Sequence, residues 1–88
     1  MADRGDKLLR RLVAANLRHR RKALQMSQED VALQAGFHRT FIGHVERGET
    51  NISIDNLERL ALALKVPAHE LLMSSPGVGD EKRHHSSP

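Results

Sequence analysis

The sequence has no cysteine, tryptophan or tyrosine, and its only aromatic residues are Phe37 and Phe41. Without cysteine there is no disulfide framework and no thiolate-ligated zinc. No apolar run approaches the roughly 20 residues that a membrane-spanning helix requires. The N-terminus opens on charged residues instead of the apolar stretch of a secretory signal, so the expected compartment is the cytoplasm. Glycine-rich phosphate loops and clustered carboxylate pairs are missing, and neither Ser27, Ser53 nor Thr40 has a partnered base. No enzyme is expected. Histidines stand at positions 19, 38, 44, 69, 84 and 85, but none has metal-ligand spacing with other ligands nearby. Neither a metal nor a cofactor is expected.

What remains is one small domain of 88 residues with a modest core. The net charge is only +3, yet it is unevenly spread: residues 1–22 carry eight basic and two acidic groups, whereas residues 23–88 carry six basic and nine acidic ones. A basic half suits a polyanion, because each phosphate contact releases condensed counterions. By charge alone, a solvated helix face is the slightly favoured reading.

Residues 1–6 read as a flexible N-terminus and 7–73 as the folded domain. Residues 74–88, rich in Ser, Pro, Gly and charge, read as a disordered tail. From Lys7 onward, Leu9, Val13, Leu17, Arg21 and Leu24 recur at helical spacing and define an inner face. Leu8 and Leu12 lie off it. Gln25-Met26 breaks the run, and Ser27 with Asp30 three residues on forms a capping-box pattern that starts a second helix, Gln28 to Ala35. Gly36 stops it. A third helix spans 39–47 and ends at Gly48. Ser53 caps a fourth, with Ile54, Leu57, Leu60, Ala61 and Leu64 as its apolar stripe. Pro67 opens a last turn through Leu71, Leu72 and Met73. The fold class is therefore all-α, with five helices and no strand.

Residues 28–47 carry the most specific signal. Ala32 stands where two short helices cross closest, Gly36 takes the positive φ of the turn, and Ile42 fills the wedge between them. Val31, Ala35 and Val45 complete an inner face, which makes a helix-turn-helix pattern. With Phe41, Ile42 and Val45 inward, Arg39, Thr40, Gly43, His44 and Arg47 are expected to face outward. That face holds no acidic residue. Arginine can pair with guanine O6 and N7, and threonine can touch a thymine methyl or a phosphate. Gly43 costs about 1 kcal/mol of helix stability relative to alanine. A close approach of DNA at that gap explains the cost, so Gly43 joins the expected base contacts.

The segment from Val13 to Met73 resembles the phage-repressor or Cro-like (XRE) helix-turn-helix regulators, of the lambda-repressor-like fold. The resemblance lies in Arg21, Met26-Ser27-Gln28-Glu29, Val31-Ala32, Ala35-Gly36, Phe41-Ile42, Val45-Glu46-Arg47-Gly48 and Leu57, Leu60-Ala61 and Leu64. Restriction-modification controller proteins are similar in size and in having little beyond this domain. The resemblance implies that Arg39, Thr40 and His44 read bases from the recognition helix. It implies that Gln28 contacts phosphate and that Asn51 approaches the backbone, with Arg47 placed at phosphate beside them. Arg21 and Glu46 match a structural ion pair of the family. Departures are Gln25 and Lys65 at helix ends that usually hold glycine, His38 in place of a serine or threonine cap, Ile52 in place of proline, and Arg20 at a more often apolar position.

The function expected is a sequence-specific transcription regulator acting on double-stranded DNA, without a membrane role or an evident small-molecule effector. A homodimer is expected on a (pseudo)palindromic operator, since one recognition helix covers few base pairs. Leu62, Leu72 and Met73 are the candidate dimer contacts, and scattered surface leucines account for them equally well. Two other classes stay open. One is an antitoxin-type interaction module that also represses its own operon. The other is an RNA-binding adaptor, which lacks here the aromatics that stack splayed bases.

Overall fold

The computed structural model describes residues 7–74. The segment expected to be flexible at 1–6, and all of the tail at 74–88 except Ser74, lie outside the described residues. Within them the chain forms four α-helices, α1 (Leu8–Ala23), α2 (Gln28–Ala35), α3 (Arg39–Glu46) and α4 (Ile54–Leu64), then a 3-10 helix, Ala68–Leu72, and no strand. The expected fifth helix is therefore corrected to a single 3-10 turn. Asn16 of α1 donates through Nδ2 to the carbonyls of Leu71 and Met73 at 2.9 and 2.8 Å. These carbonyls are thus held by a side chain, and Met73 is already extended.

Local chemistry sets the helix ends. Ser27 Oγ accepts from the Asp30 amide at 2.9 Å while Asp30 Oδ2 accepts from the Ser27 amide at 2.8 Å, a reciprocal cap. Ser53 Oγ accepts from the Asn56 amide at 3.0 Å and starts α4. His38, in contrast, makes no side-chain cap for α3. All four α-helices end in one motif: a residue with positive φ, followed by an amide that reaches back five positions. The positive-φ residues are Gln25, Gly36, Gly48 and Lys65. The returning amides are Met26 to Arg21, Phe37 to Ala32, Glu49 to His44 and Val66 to Ala61. Gln25 and Lys65 adopt this conformation without glycine's freedom, which costs on the order of 1 kcal/mol each.

Arginines from other helices finish three of these ends. Arg59 of α4 donates to Ala35 and Gly36 at the end of α2. Arg18 of α1 donates to the Glu46 carbonyl at the end of α3. Arg20 of α1 donates to the Leu64 carbonyl at the end of α4 at 2.9 Å. Each places a cation at the negative end of a helix dipole and satisfies carbonyls that have no amide partner in their own helix.

The core is built on Leu17, Val31, Ile42, Leu60, Leu64 and Leu71, all fully buried. α2 packs on α3 and α4, while α1 packs on α3, α4 and the 3-10 helix. Because α1 is contacted on several sides, Leu12 to Ala15 are all buried, which corrects the placement of Leu12 off the inner face. Leu9 and Ile54 are corrected the other way. Each lies in the first turn of its helix, and they are 59% and 80% exposed.

Candidate nucleic-acid interface

Between α2 and α3 the turn is held from three directions. Ala32 is buried in the same core cluster as Ile42, which is fully buried, and Gly36 has φ +79°. A Cβ on Gly36 would lie 2.8 Å from Arg59 Nη2 as well as straining the backbone. Above the turn, Phe37 and Phe41 meet with ring centroids 4.7 Å apart, and the Arg59 guanidinium lies 4.2 Å from the Phe37 centroid. The braced turn leaves one side of α3 to solvent.

That side presents Arg39, Thr40 and His44, all exposed, with Arg47 exposed at its end and Asn51 exposed in the following loop. Gly43 does not belong to it. Gly43 is buried, because the side chain of Arg47, one turn on, folds over it: an ideal Cβ would meet Arg47 Nη1 at 3.3 Å and Gln28 Oε1 at 3.9 Å. The expectation that Gly43 lies open on the outward face is corrected accordingly. Gly43→Ala is expected to stabilise the fold by about 0.5–1 kcal/mol, the helix-propensity gain. The atom it meets is the far end of an exposed side chain and can give way. A lower urea midpoint for this variant would mean that Arg47 resists displacement.

Behind α3 lies a buried ionic cluster. Arg21 donates through Nε to Glu46 Oε2 at 2.6 Å and through Nη2 to Oε1 at 3.0 Å, and through Nη1 to the Met26 carbonyl. The side chains of Arg21 and Glu46 are only 13% and 5% exposed. Gln28, half-buried at the start of α2, donates through Nε2 to the same Glu46 Oε1 at 3.0 Å. Its donor thus points into the cluster that ties α1, α2 and α3 together. The hydrogen bond to Glu46 raises the Arg21 pKa, outweighing the desolvation that opposes it.

Sequence reasoning missed Glu49. It lies beyond α3, but the turn at Gly48 brings its carboxylate back onto the outward face. Oε1 is 3.1 Å from His44 Nδ1 and Oε2 accepts from Arg47 Nε at 3.1 Å. His44 first, and then Arg47, hold this carboxyl below the usual glutamate range. The contact therefore persists to lower pH than it would with an unperturbed glutamate. The positive-φ glycine before Glu49 was the legible signal that the chain would return.

Leu62, Leu72 and Met73 are all exposed. Leu72 lines an open apolar groove with Leu9, Val13, Ile52, Ile54 and Leu57, and Leu62 does not line it. Among the described residues no three His, Asp or Glu side chains gather as metal ligands. Within the same residues, no helix is long and apolar enough to cross a membrane.

Comparison with known proteins agrees with this geometry. The helix-turn-helix family pattern matches residues 17–71. The chain is 43% identical over 65 residues to a hypothetical transcription factor of Neisseria meningitidis serogroup B, covering 74% of this chain and 61% of that protein. It is 47% identical over 47 residues to the control protein C.BamHI of Bacillus amyloliquefaciens, covering 53% of this chain and 58% of that protein. The chain thus spans less than two thirds of the length of these two relatives. The crystal structure of the restriction-modification controller protein C.AhdI from Aeromonas hydrophila superposes with a TM-score of 0.67 at 38% identity, over 81% of this chain and 98% of that one. With the wedge, the turn and the braced α3 all falling inside the matched segment, the chain belongs to the helix-turn-helix family, in its phage-repressor (XRE) branch.

Proposed function

We propose that this protein is a sequence-specific transcription regulator that binds a (pseudo)palindromic operator as a homodimer, with α3 in the major groove. The observation that carries the reading is the side of α3 itself. Arg39, Thr40 and His44 project from a short helix whose other side is locked into the core by Ile42 and Val45. Arg39 offers a bidentate donor to guanine, Thr40 a hydroxyl and a methyl, and His44 a ring nitrogen. Arg47 and Asn51 flank them at the level of the phosphates. Gln28 joins them if its amide leaves Glu46. No cofactor or effector is part of this reading.

Dimerisation follows from size, because one such helix buries too little surface for specific binding at cellular salt. Leu62, Leu72 and Met73 are the proposed contacts, with the groove beside Leu72 extending the apolar surface. The controller proteins among the relatives support a regulatory role, and control of its own gene is the simplest form of it to test. The test is a footprint on the DNA upstream of its own gene. Two protected half-sites about one helical turn apart are expected; a single protected half-site would argue against the dimer, and no protection against autoregulation. On that site Arg39→Ala is expected to lose about 1–3 kcal/mol and to relax preference at one base pair. An equal loss on random duplex would assign Arg39 to phosphate.

A further inference from the structure

The Glu49 carboxylate stands among side chains proposed to read DNA, and its geometry restricts what one of them can present. The chain turns at Gly48, with φ +71°, and the Glu49 amide donates back to the His44 carbonyl at 3.0 Å. Two charged groups then meet His44 Nδ1: Glu49 Oε1 at 3.1 Å and Arg47 Nη2 at 3.2 Å. One ring nitrogen cannot serve both. An ionised carboxylate only accepts and a guanidinium only donates, so Nδ1 holds either a proton toward Glu49 or a lone pair toward Arg47. The contact with the carboxylate is charge-assisted, and a bare lone pair facing a carboxylate oxygen is repelled. Arg47 meanwhile has a good partner in the other carboxylate oxygen, through Nε at 3.1 Å. Nδ1 is therefore the protonated nitrogen. In the neutral ring the lone pair falls on Nε2, on a side chain that is 46% exposed.

Resting on the DNA reading above, we propose that Glu49 is a positioning residue that sets the hydrogen-bonding sense of the recognition helix. It holds neutral His44 in the Nδ1–H tautomer, so that Nε2 reaches the groove as an acceptor. An acceptor selects a base with a major-groove donor, the N6 amino group of adenine or the N4 amino group of cytosine, and disfavours the acceptor-only edge of guanine. The other tautomer presents an N–H and inverts that preference. Glu49 thus acts on base choice through His44, without touching a base.

The test uses the intact chain and has two arms. Long-range proton–nitrogen correlation of the His44 ring, at a pH where the ring is neutral, reads the tautomer directly. Nδ1–H is expected in the wild type and in Glu49→Gln, whose side-chain carbonyl still accepts. A shift toward Nε2–H is expected in Glu49→Ala. A wild-type ring in the Nε2–H form, or an alanine variant with the wild-type pattern, overturns the proposal. In the second arm, binding is competed against duplexes carrying each base pair at every operator position. One position is expected to favour adenine or cytosine by roughly five- to tenfold, the size of one net hydrogen bond. Glu49→Ala is expected to flatten that position and spare the one read by Arg39. Uniform weakening at all positions overturns the specificity role. A wild type with no duplex preference anywhere brings down the DNA reading and that role together, and the ring spectrum tells this failure apart from a failure of the tautomer lock.

Discussion

Arg21→Ala is expected to cost about 3–5 kcal/mol of folding free energy, a large part of what a domain of this size has. The loss comes less from the missing attraction than from what stays behind. The Glu46 carboxylate is 5% exposed and accepts two hydrogen bonds from Arg21 and one from Gln28. Without the guanidinium, a buried anion keeps a single neutral donor. The Met26 carbonyl loses its side-chain donor as well. Urea denaturation followed by circular dichroism measures the loss, and a value under about 1 kcal/mol would mean that water reaches Glu46. Arg21→Met combined with Glu46→Leu is expected to recover most of the stability, because the buried charge leaves with its partner. The sign of the pH dependence follows from the raised Arg21 pKa. A cation with a raised folded-state pKa contributes fully below its unfolded pKa and loses that contribution only as pH rises past it. On the arginine side the pair is therefore insensitive to pH across the range where the protein would be handled.

Ile42→Ala is expected to cost about 2–5 kcal/mol, and Ile42→Val only about 0.5–1.5. Ile42 is fully buried, with Val31, Ala32, Ala35 and Val45 in the same core cluster. Its removal opens a cavity at the meeting of α2 and α3. The same loss loosens the angle at which Arg39, Thr40 and His44 are presented, so operator affinity should fall further than the folded fraction alone accounts for. Both effects are read from one preparation, by a urea midpoint and by binding at a concentration where the variant is still folded. A cost near that of the valine variant would show that the two helices close over the gap.

Much of the interface was legible because its parts obey local rules. Ser27 and Asp30 are three positions apart and cap each other as that spacing predicts. Gly36 takes the positive φ that its place after α2 calls for, and Ile42 lies in the wedge. The outward side of α3 was read correctly for Arg39, Thr40 and His44, which are exposed. Gly43 was misread because a helical wheel counts direction and not cover. It points away from Ile42, but the long side chain of Arg47 closes over it. Leu9 and Leu12 were exchanged for a related reason. Periodicity finds a stripe, while the neighbours that α1 happens to meet decide how wide the buried face is and where along the helix burial begins.

The amino-acid order alone determined where the α-helices begin and end, which residues form the wedge, and which side of α3 faces out. Caps, turns and apolar spacing act across three to five positions, and such interactions can be read from a string. The Arg21–Glu46 pair was expected from the family resemblance, but only the tertiary structure decided what Arg18, Arg20 and Arg59 do. Eight of the fourteen Lys and Arg residues fall in the first 22 positions, a pattern that suits a polyanion. Yet Arg18, Arg20 and Arg21 are spent on the Glu46 carbonyl, the Leu64 carbonyl and the Glu46 carboxylate, and Arg59 on the end of α2. A guanidinium on a long flexible stem can bond any carbonyl or carboxylate the fold brings near, and here those partners lie 24 to 44 positions away. No spacing rule reaches that far, so packing had to choose the partner.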